Sequence, residues 1–426
     1  MGTTTYVIGG GCSGTLAAIH LLRSTGDRVV LAEAGPLVGR GLAYGTTNPV
    51  HLLNSRAGTM SVPAAGPDDF TAWCRRRDPS FGDASFAPRA WYGTYLAERL
   101  ASASAANPRR LEVHSGRIAA LRLERGRRPV VVEAGGRRRS ADRAVLAVGH
   151  APPADPAWAV ALRGHPRYVA DPWGRGDALD RVPAGGPVLL VGTGLTAVDV
   201  ALSLESVEIV AVSRRGLLPQ PHVEAVPVPA SALDVGSCDG IAPLMRYVRA
   251  AAAAGPDWRA VVDALRPAAD GIWQRLSPEC RDRFLRHAAR HWEVHRHRMA
   301  PPIAAEVARL TGSGRFRALA GRVALVSASD RVITVTIDGA VRRFAAVVNC
   351  TGPGSPLLQP LVAQLLAGGD ARSGPHGLGL DTDGDGRLLD AAGRAWPGVH
   401  VLGPARRGRL WETTAVAEIR AQAEAL

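Results

Sequence analysis

Residues 6–22 read YVIGGGCSGTLAAIHLL. Tyr6 to Ile8 are strand-like, and the run that starts at Thr15 sets its apolar residues at helical spacing. Between them Gly9, Gly11 and Gly14 fall at G-x-G-x-x-G spacing. Each glycine has its own physical task. The first permits a tight turn, the second lets a pyrophosphate approach the backbone, and the third lets helix and strand pack closely. The helix N-terminus, with Ser13 in its first turn, then turns free N–H groups and a positive dipole end toward the phosphates. The next stretch, DRVVLAEAG, supplies a second strand ending in Glu33, placed to accept hydrogen bonds from a ribose 2′-hydroxyl. A glycine-rich turn that binds nothing is the competing reading. Strand, helix and acid together favour the dinucleotide.

Residues 187–204, PVLLVGTGLTAVDVALSL, repeat the design. Gly192, Gly194 and Ala197 give G-x-G-x-x-A, and Thr196 stands in the first turn of the expected helix. The following strand, VEIVAV, ends in Ser213, Arg214 and Arg215 and not in an acid. An acid there would repel a 2′-phosphate, whereas arginine forms charge-assisted bonds with it. The second turn is therefore expected to prefer NADPH to NADH. The alternative is that these are two of the chain's 51 basic residues with no special duty.

The duplication runs further. Residues 115–149 and 320–352 each alternate like a β-meander and close on an apolar strand and a glycine, Gly149 and Gly352. The expected fold class is α/β: two Rossmann-like, three-layer dinucleotide-binding domains with β-meanders, plus a helical insert from about 230 to 312. The expected boundaries are 1–180, 181–350, and a return to the first domain over 351–426.

Composition narrows the function classes. With 426 residues, 46% of them apolar, the chain has material for globular cores. No apolar run reaches the roughly 18 residues of a membrane span, and no basic-then-apolar leader opens the chain. No membrane contact and a cytoplasmic location are the expectations. The formal charge is +13, all the basic residues are arginine, and they are spread along the chain without an aromatic-interleaved strip, so no nucleic-acid partner is expected. Cys12, Cys74, Cys238, Cys280 and Cys350 never reach Cys-x-x-Cys spacing, which argues against a zinc site, a redox dithiol or a disulfide framework. Two apparent metal motifs fail as well. His287, His291 and His295 share four-residue spacing, but their only nearby carboxylate, Glu293, lies on another face. DTDGDGRLLDAA, residues 381–392, begins like an EF-hand loop, yet its twelfth position is Ala392, so it reads as a β-turn. No metal is expected.

Three further stretches carry a family resemblance: GLAYGTTNPVHLLNSRAGTMS, WEVHRHRMAPP and GVHVLGPARRGRLWETTAVAEIRAQA. With the two glycine motifs, they make the chain resemble the two-dinucleotide-binding-domain flavoproteins. More narrowly, it resembles the FAD/NAD(P)-binding family related to the flavin-dependent monooxygenases that include N-hydroxylases and Baeyer–Villiger enzymes. The resemblance covers nearly the whole chain. It implies FAD on the first motif and NADPH on the second. It adds Arg40 and Gly403 to the cofactor contacts. It also sets the loop holding His51 and Asn54 against the flavin, although Asn54 also reads as a turn cap. The C-terminal helix, with Thr413 and Thr414 at its start, is implied to point its N–H groups at the flavin pyrimidine edge; a plain Thr N-cap is compatible with this.

Two classes of function remain open at this point. In one, NADPH reduces the flavin, oxygen adds to it, and the resulting peroxide oxygenates a small amine or amino-acid-like substrate in a biosynthetic pathway. Asn54, His295 and His297 are then the candidate catalytic residues. In the other, the chain is an NADPH-dependent flavin reductase or dehydrogenase, or an FAD-binding redox sensor or electron carrier, without oxygenation. The linker fingerprint of the best-known monooxygenases is only partly echoed by LAVGHAPPADP. Oligomeric state is not readable.

Overall fold

The computed structural model describes residues 2–62, 66–174, 178–223, 240–255 and 257–426. In chain order, the first unit opens with β1 (Thr4–Ile8), α1 (Cys12–Ser24), β2 (Arg28–Glu33), α2 (Asp69–Arg75) and α3 (Arg89–Ala105). It continues with β3 (Leu111–Ser115), β4 (Ile118–Arg122), β5 (Val130–Glu133), β6 (Arg138–Ser140) and β7 (Arg143–Leu146). The second unit supplies β8 (Tyr168–Val169), β9 (Val188–Val191), α4 (Leu195–Ser203) and β10 (Ile209–Ser213). Helices α5 (Ile241–Ala254), α6 (Trp258–Leu265), α7 (Ala269–Arg275), α8 (Pro278–Arg283), α9 (Ala289–Arg296) and α10 (Pro301–Gly312) follow. Then come β11 (Phe316–Ala320), β12 (Val323–Ser329), β13 (Val332–Ile337), β14 (Ala340–Phe344) and β15 (Ala346–Asn349). The first unit resumes with α11 (Pro360–Ala367), β16 (Arg387–Leu389), β17 (Ala395–Val401) and α12 (Val416–Glu424).

By compactness the units are Met1–Pro49, Ser55–Ala151 and Ser355–Leu426, against Val50–Asn54 and Pro152–Gly354. The first is built on a six-stranded sheet of order β16-β17-β7-β1-β2-β3. β1 runs parallel to both β2 and β7, with Tyr6 opposite Val30 and Ala144. The central strands β1, β2 and β7 are buried on both faces because both faces are covered. On one face Tyr6, Ile8, Leu146 and Val401 pack with Leu121 and Val131 of the β4-β5-β6 meander and with Val362 and Leu365 of α11. α1, whose Leu16, Ile19 and Leu22 are fully buried, carries α3 and α12 as neighbours. Meander, sheet and helices make three layers.

The second unit repeats this plan on a five-stranded sheet of order β11-β10-β9-β15-β8. α4 and α10 cover one face through Ala197, Val198, Val307 and Leu310. The β12-β13-β14 meander covers the other through Ile333, Val335 and Phe344. The two Rossmann-like domains with β-meanders are therefore present as the sequence indicates. The boundaries differ: Tyr168 and Val169 pair in parallel with Val347 and Val348, and the second unit begins at Pro152, takes Val50–Asn54 and runs to Gly354. The helical insert appears over Ile241–Gly312, with a small core of its own around Leu244, Val261 and Leu265; residues 230–239 of its expected span, and Cys238, lie outside the described residues.

Candidate functional site

The first turn is fixed by contact distances. Gly9 has φ +106°, and a Cβ there would stand 2.3 Å from the Ala147 carbonyl oxygen. A Cβ at Gly14 would stand 1.7 Å from the Gly9 carbonyl oxygen, so helix and strand meet with no room for a methyl group. Gly11 is different. Its Cβ would meet only the Gly41 Cα, at 3.4 Å, which is ordinary van der Waals contact. Protein packing does not demand glycine at position 11, whereas a ligand group approaching the backbone would. Gly11 is also the N-cap of α1, supplies no side-chain cap, and is followed by a first turn without acids. The N–H groups of Cys12, Ser13 and Gly14 have no partner inside the helix. The residues present thus form a cradle for an anion.

Neighbouring elements complete that cradle within the first unit. Gly39 N–H donates to the Gly10 carbonyl at 2.8 Å, which lays the Arg40 loop across the turn. Arg40 is half-buried and makes no side-chain hydrogen bond or ion pair among the described residues. Glu33, at the end of β2, accepts from Gly10 N–H at 2.8 Å and from Gly35 N–H at 2.6 Å, which orients its carboxylate at the edge of the turn. Gly403, at φ +70°, follows β17, and a Cβ there would be 2.5 Å from Ser13 Oγ. Gly149 follows β7 at φ +65°. The structure therefore brings together Gly9, Gly11, Ser13, Gly14, Glu33, Arg40 and Gly403. α12 begins at Val416 with Ala415 as an uncapped N-cap, two residues later than Thr413 and Thr414 imply. Neither threonine is the cap. Thr414 is exposed, while Thr413 is fully buried and its hydroxyl has no hydrogen-bond partner among the described residues. A buried orphan hydroxyl beside an uncapped helix start fits a polar ligand edge.

The second turn matches the first at its leading glycine. Gly192 has φ +124°, and its Cβ would stand 2.2 Å from the Cys350 carbonyl oxygen. In both units the clashing carbonyl lies two residues before the closing glycine, Gly149 or Gly352. Gly194 is the N-cap of α4, with nothing within 4 Å of its Cβ position, and Thr196 lies in the first turn. The loop after β10 is braced from inside. Thr193 Oγ1 lies 2.8 Å from Ser213 Oγ and donates to the Leu217 carbonyl at 2.6 Å, while Ser213 Oγ accepts from Gly216 N–H at 3.0 Å. Ser213 is thus spent on the loop. Arg214 and Arg215 are both exposed, and the structure separates them. Arg215 donates to the carbonyls of His287, at 3.0 Å, and Arg286, at 3.3 Å. Arg214 makes no hydrogen bond or ion pair among the described residues.

The remaining candidates pack in the second unit. His51 is buried; its Nε2 lies 2.8 Å from Ser203 Oγ and 3.2 Å from the Asp199 carbonyl of α4, and its ring stands edge-on to Trp173. Asn54 offers its carbonyl to His222 Nε2 at 3.0 Å. His295 Nδ1 lies 2.7 Å from the His291 carbonyl, and its ring stands edge-on to Trp258 at 4.7 Å. His297 is the C-cap of α9. His287 falls in a single π-turn, Phe284–Ala288, which breaks its helical phase with His291 and His295. Burial, then the Arg215 charge, hold the His291 pKa below the ordinary imidazole value. Residues 383–386 form a turn in which Asp383 accepts from the N–H groups of Asp385 and Arg387, and both acids pair with Arg387. Burial pushes the Cys12 thiol up to about 12, and Cys12, Cys74, Cys280 and Cys350 are all free.

Comparison with known proteins agrees with this reading of the first turn. Residues 6–151 match the family model described as FAD-NAD(P)-binding. No curated protein matches the chain. Among solved structures, the fold is similar to the Kutzneria sp. 744 ornithine N-hydroxylase, solved with reduced FAD, NADP+ and L-ornithine, at TM-score 0.67 and 14% identity over 100% of this chain and 98% of that one. It is similar to the L-lysine 6-monooxygenase from Pseudomonas syringae, at TM-score 0.64 and 16% identity over 99% and 97%. It is also similar to Lactococcus lactis thioredoxin reductase, at TM-score 0.55 and 12% identity over 99% and 96%. Residues 6–151 thus match an FAD–NAD(P)-binding family model, and the chain as a whole shares the fold of these two-dinucleotide-binding-domain flavoproteins.

Proposed function

We propose that the chain binds FAD at the first turn and NADPH at the second, and that it works as a flavin monooxygenase on a small amine or amino-acid-like substrate, with molecular oxygen as co-substrate. One observation carries the reading: two turns on one chain, matched at their leading glycine, one edged by the Glu33 carboxylate and the other by an unpaired Arg214. Bound FAD would supply hydride acceptance and reaction with oxygen. The chain's own groups do the rest. The α1 N-terminus and Arg40 hold the pyrophosphate, Glu33 orients the ribose, and Thr413 with the start of α12 meets the polar edge of the ring. Arg214 reads the 2′-phosphate, and the α4 N-terminus takes the second pyrophosphate. His297, Asn54 and His295 are proposed beside the reacting groups. Among the described residues no helix is long and apolar enough to cross a membrane. The cytoplasm is the proposed location.

A second reading, NADPH-dependent reduction of flavin without oxygenation, is favoured by the anchoring of His295 between the His291 carbonyl and Trp258, which suits a packing role. NADPH consumption under air separates the two. Oxygenation predicts that one amine or amino acid stimulates consumption and appears as its hydroxylated product in matching amount. Consumption that every candidate leaves unchanged, with all electrons recovered as free peroxide, overturns the monooxygenase reading.

A further inference from the structure

One side-chain cluster of the first unit belongs to neither turn. Five oxidisable rings follow one another in contact between the glycine turn and the surface of α3. Tyr44 meets Tyr92 with centroids 4.7 Å apart, Tyr92 meets Tyr95 at 5.6 Å, Tyr95 meets Trp73 at 5.7 Å, and Trp73 meets Trp91 at 6.3 Å. At the inner end the Tyr44 side chain neighbours the thiol of Cys12, the first residue of α1. Tyr92, Tyr95 and Trp73 are fully buried, and Trp91 at the outer end is half-buried.

Stacked aromatics alone make an ordinary core. The proton acceptors distinguish this one. A tyrosine or tryptophan that loses an electron becomes a strong acid, and the hole settles only where the proton can leave. Tyr95 donates its hydroxyl to Asp69 at 2.5 Å, and Arg99 holds that carboxylate with two bonds of 2.7 and 2.9 Å. Trp73 donates its indole N–H to Glu98 at 2.5 Å. The Tyr92 hydroxyl is buried without a partner among the described residues, so this ring can pass a hole but not keep it. The Arg77 guanidinium stands 3.4 Å over Trp73 and opposes positive charge there until the indole proton has gone.

We propose that Tyr44, Tyr92, Tyr95, Trp73 and Trp91 form a one-electron conduit between the first glycine turn and the protein surface, which drains oxygen-centred radicals formed beside the ligand that the turn holds. Each hop moves one electron inward from the next ring. When the hole rests on Tyr95 the phenolic proton passes to Asp69, and on Trp73 the indole proton passes to Glu98. The oxygen radical is reduced to its anion. Trp91 regains its electron from a small thiol or ascorbate-type reductant, and the displaced proton returns to its ring. Only the source of the radical rests on the FAD reading above; the conduit does not.

Pulse radiolysis with azide radical, on the protein as purified, tests the outer half without flavin. The azide radical takes an electron from exposed tryptophan and becomes azide ion. The tryptophanyl absorbance should then exchange with the tyrosyl band, toward an equilibrium between the two, at a rate independent of protein concentration. Trp73→Phe and Tyr95→Phe should each remove most of that transfer, Asp69→Asn should slow it severalfold, and Trp396→Phe, outside the ladder, should leave it unchanged. For the inner half, a laser flash on flavin-loaded protein should give a tryptophanyl radical that Tyr92→Phe abolishes; that substitution removes no hydrogen bond, so the fold is kept. A protein that carries no flavin fails the FAD reading and leaves the azide result to decide. Transfer unchanged in both Trp73→Phe and Tyr95→Phe, or a flash-induced radical unchanged in Tyr92→Phe, overturns the conduit.

Discussion

Arg215 donates to the carbonyl oxygen of His287 at 3.0 Å, in the π-turn of the insert. A π-turn leaves carbonyls out of the regular ladder, and an arginine from the neighbouring loop satisfies them. Its neighbour Arg214 has no such duty. The two arginines that look equivalent in the sequence should therefore separate in experiment. Arg214→Ala should weaken NADPH binding by about 1.5 kcal/mol, the lower end for a charge-assisted contact because the site is exposed, and leave NADH binding unchanged. Arg215→Ala should keep the NADPH preference and make the insert more open to proteolysis. Binding titrations with both nucleotides, run on both variants, check the pair.

Gly11 and Gly14 should separate in the same way. Gly14→Ala drives a methyl group into the Gly9 carbonyl and should cost roughly 1–3 kcal/mol or prevent folding, as overpacked sites do. Gly11→Ala has room in the protein and should melt near the parent temperature while losing bound flavin. Thermal melts and the flavin absorbance of the purified variants read the two effects independently.

Glu33 is the acceptor for two backbone N–H groups at once. Glu33→Gln keeps the shape but replaces one acceptor oxygen with a donor, so one N–H faces another. The expected loss is about 1–3 kcal/mol of unfolding free energy, measured by chemical denaturation, together with weaker flavin retention.

His400 lies buried on β17. Burial first, then the charges of Arg143 and Arg387, hold its pKa below the ordinary 6.5, with Arg406 adding to the shift and Asp383 opposing it. The unfolded chain then binds a proton that the folded chain refuses. The contribution of His400 is complete above about pH 6.5 and is lost as pH falls from there through the folded pKa. Denaturation between pH 7 and pH 5 should show a decline that is shallower in His400→Gln.

The parts of this molecule that were readable in advance are those whose reason is local. A glycine forced by a carbonyl 2.3 Å from its missing Cβ sits in a fixed pattern with its strand and helix, so both turns could be placed from the sequence. Glu33 was found because its strand ends beside its own turn. What depends on distant partners was hidden. Tyr168 and Val169 form a strand too short to announce itself, and it exists only by pairing with Val347 and Val348. Nothing near Arg215 says that it will meet the insert some seventy residues later. His51 suggests a ligand contact until Ser203 and Trp173 appear beside it. Thr413 resembles a cap, yet the helix begins three residues beyond it, at Val416.

The division of the chain has a consequence for synthesis. All strands of the second sheet have been synthesised once Asn349 has been made, so that unit can consolidate while the rest of the chain is translated. The first sheet cannot. Its strand β7 keeps an open edge until β17 arrives at Ala395–Val401, long after β1 and β2 are made. The domain that begins first is thus the last to close, and a nascent chain stalled before β17 would present an unpaired apolar strand edge to chaperones and to other nascent chains.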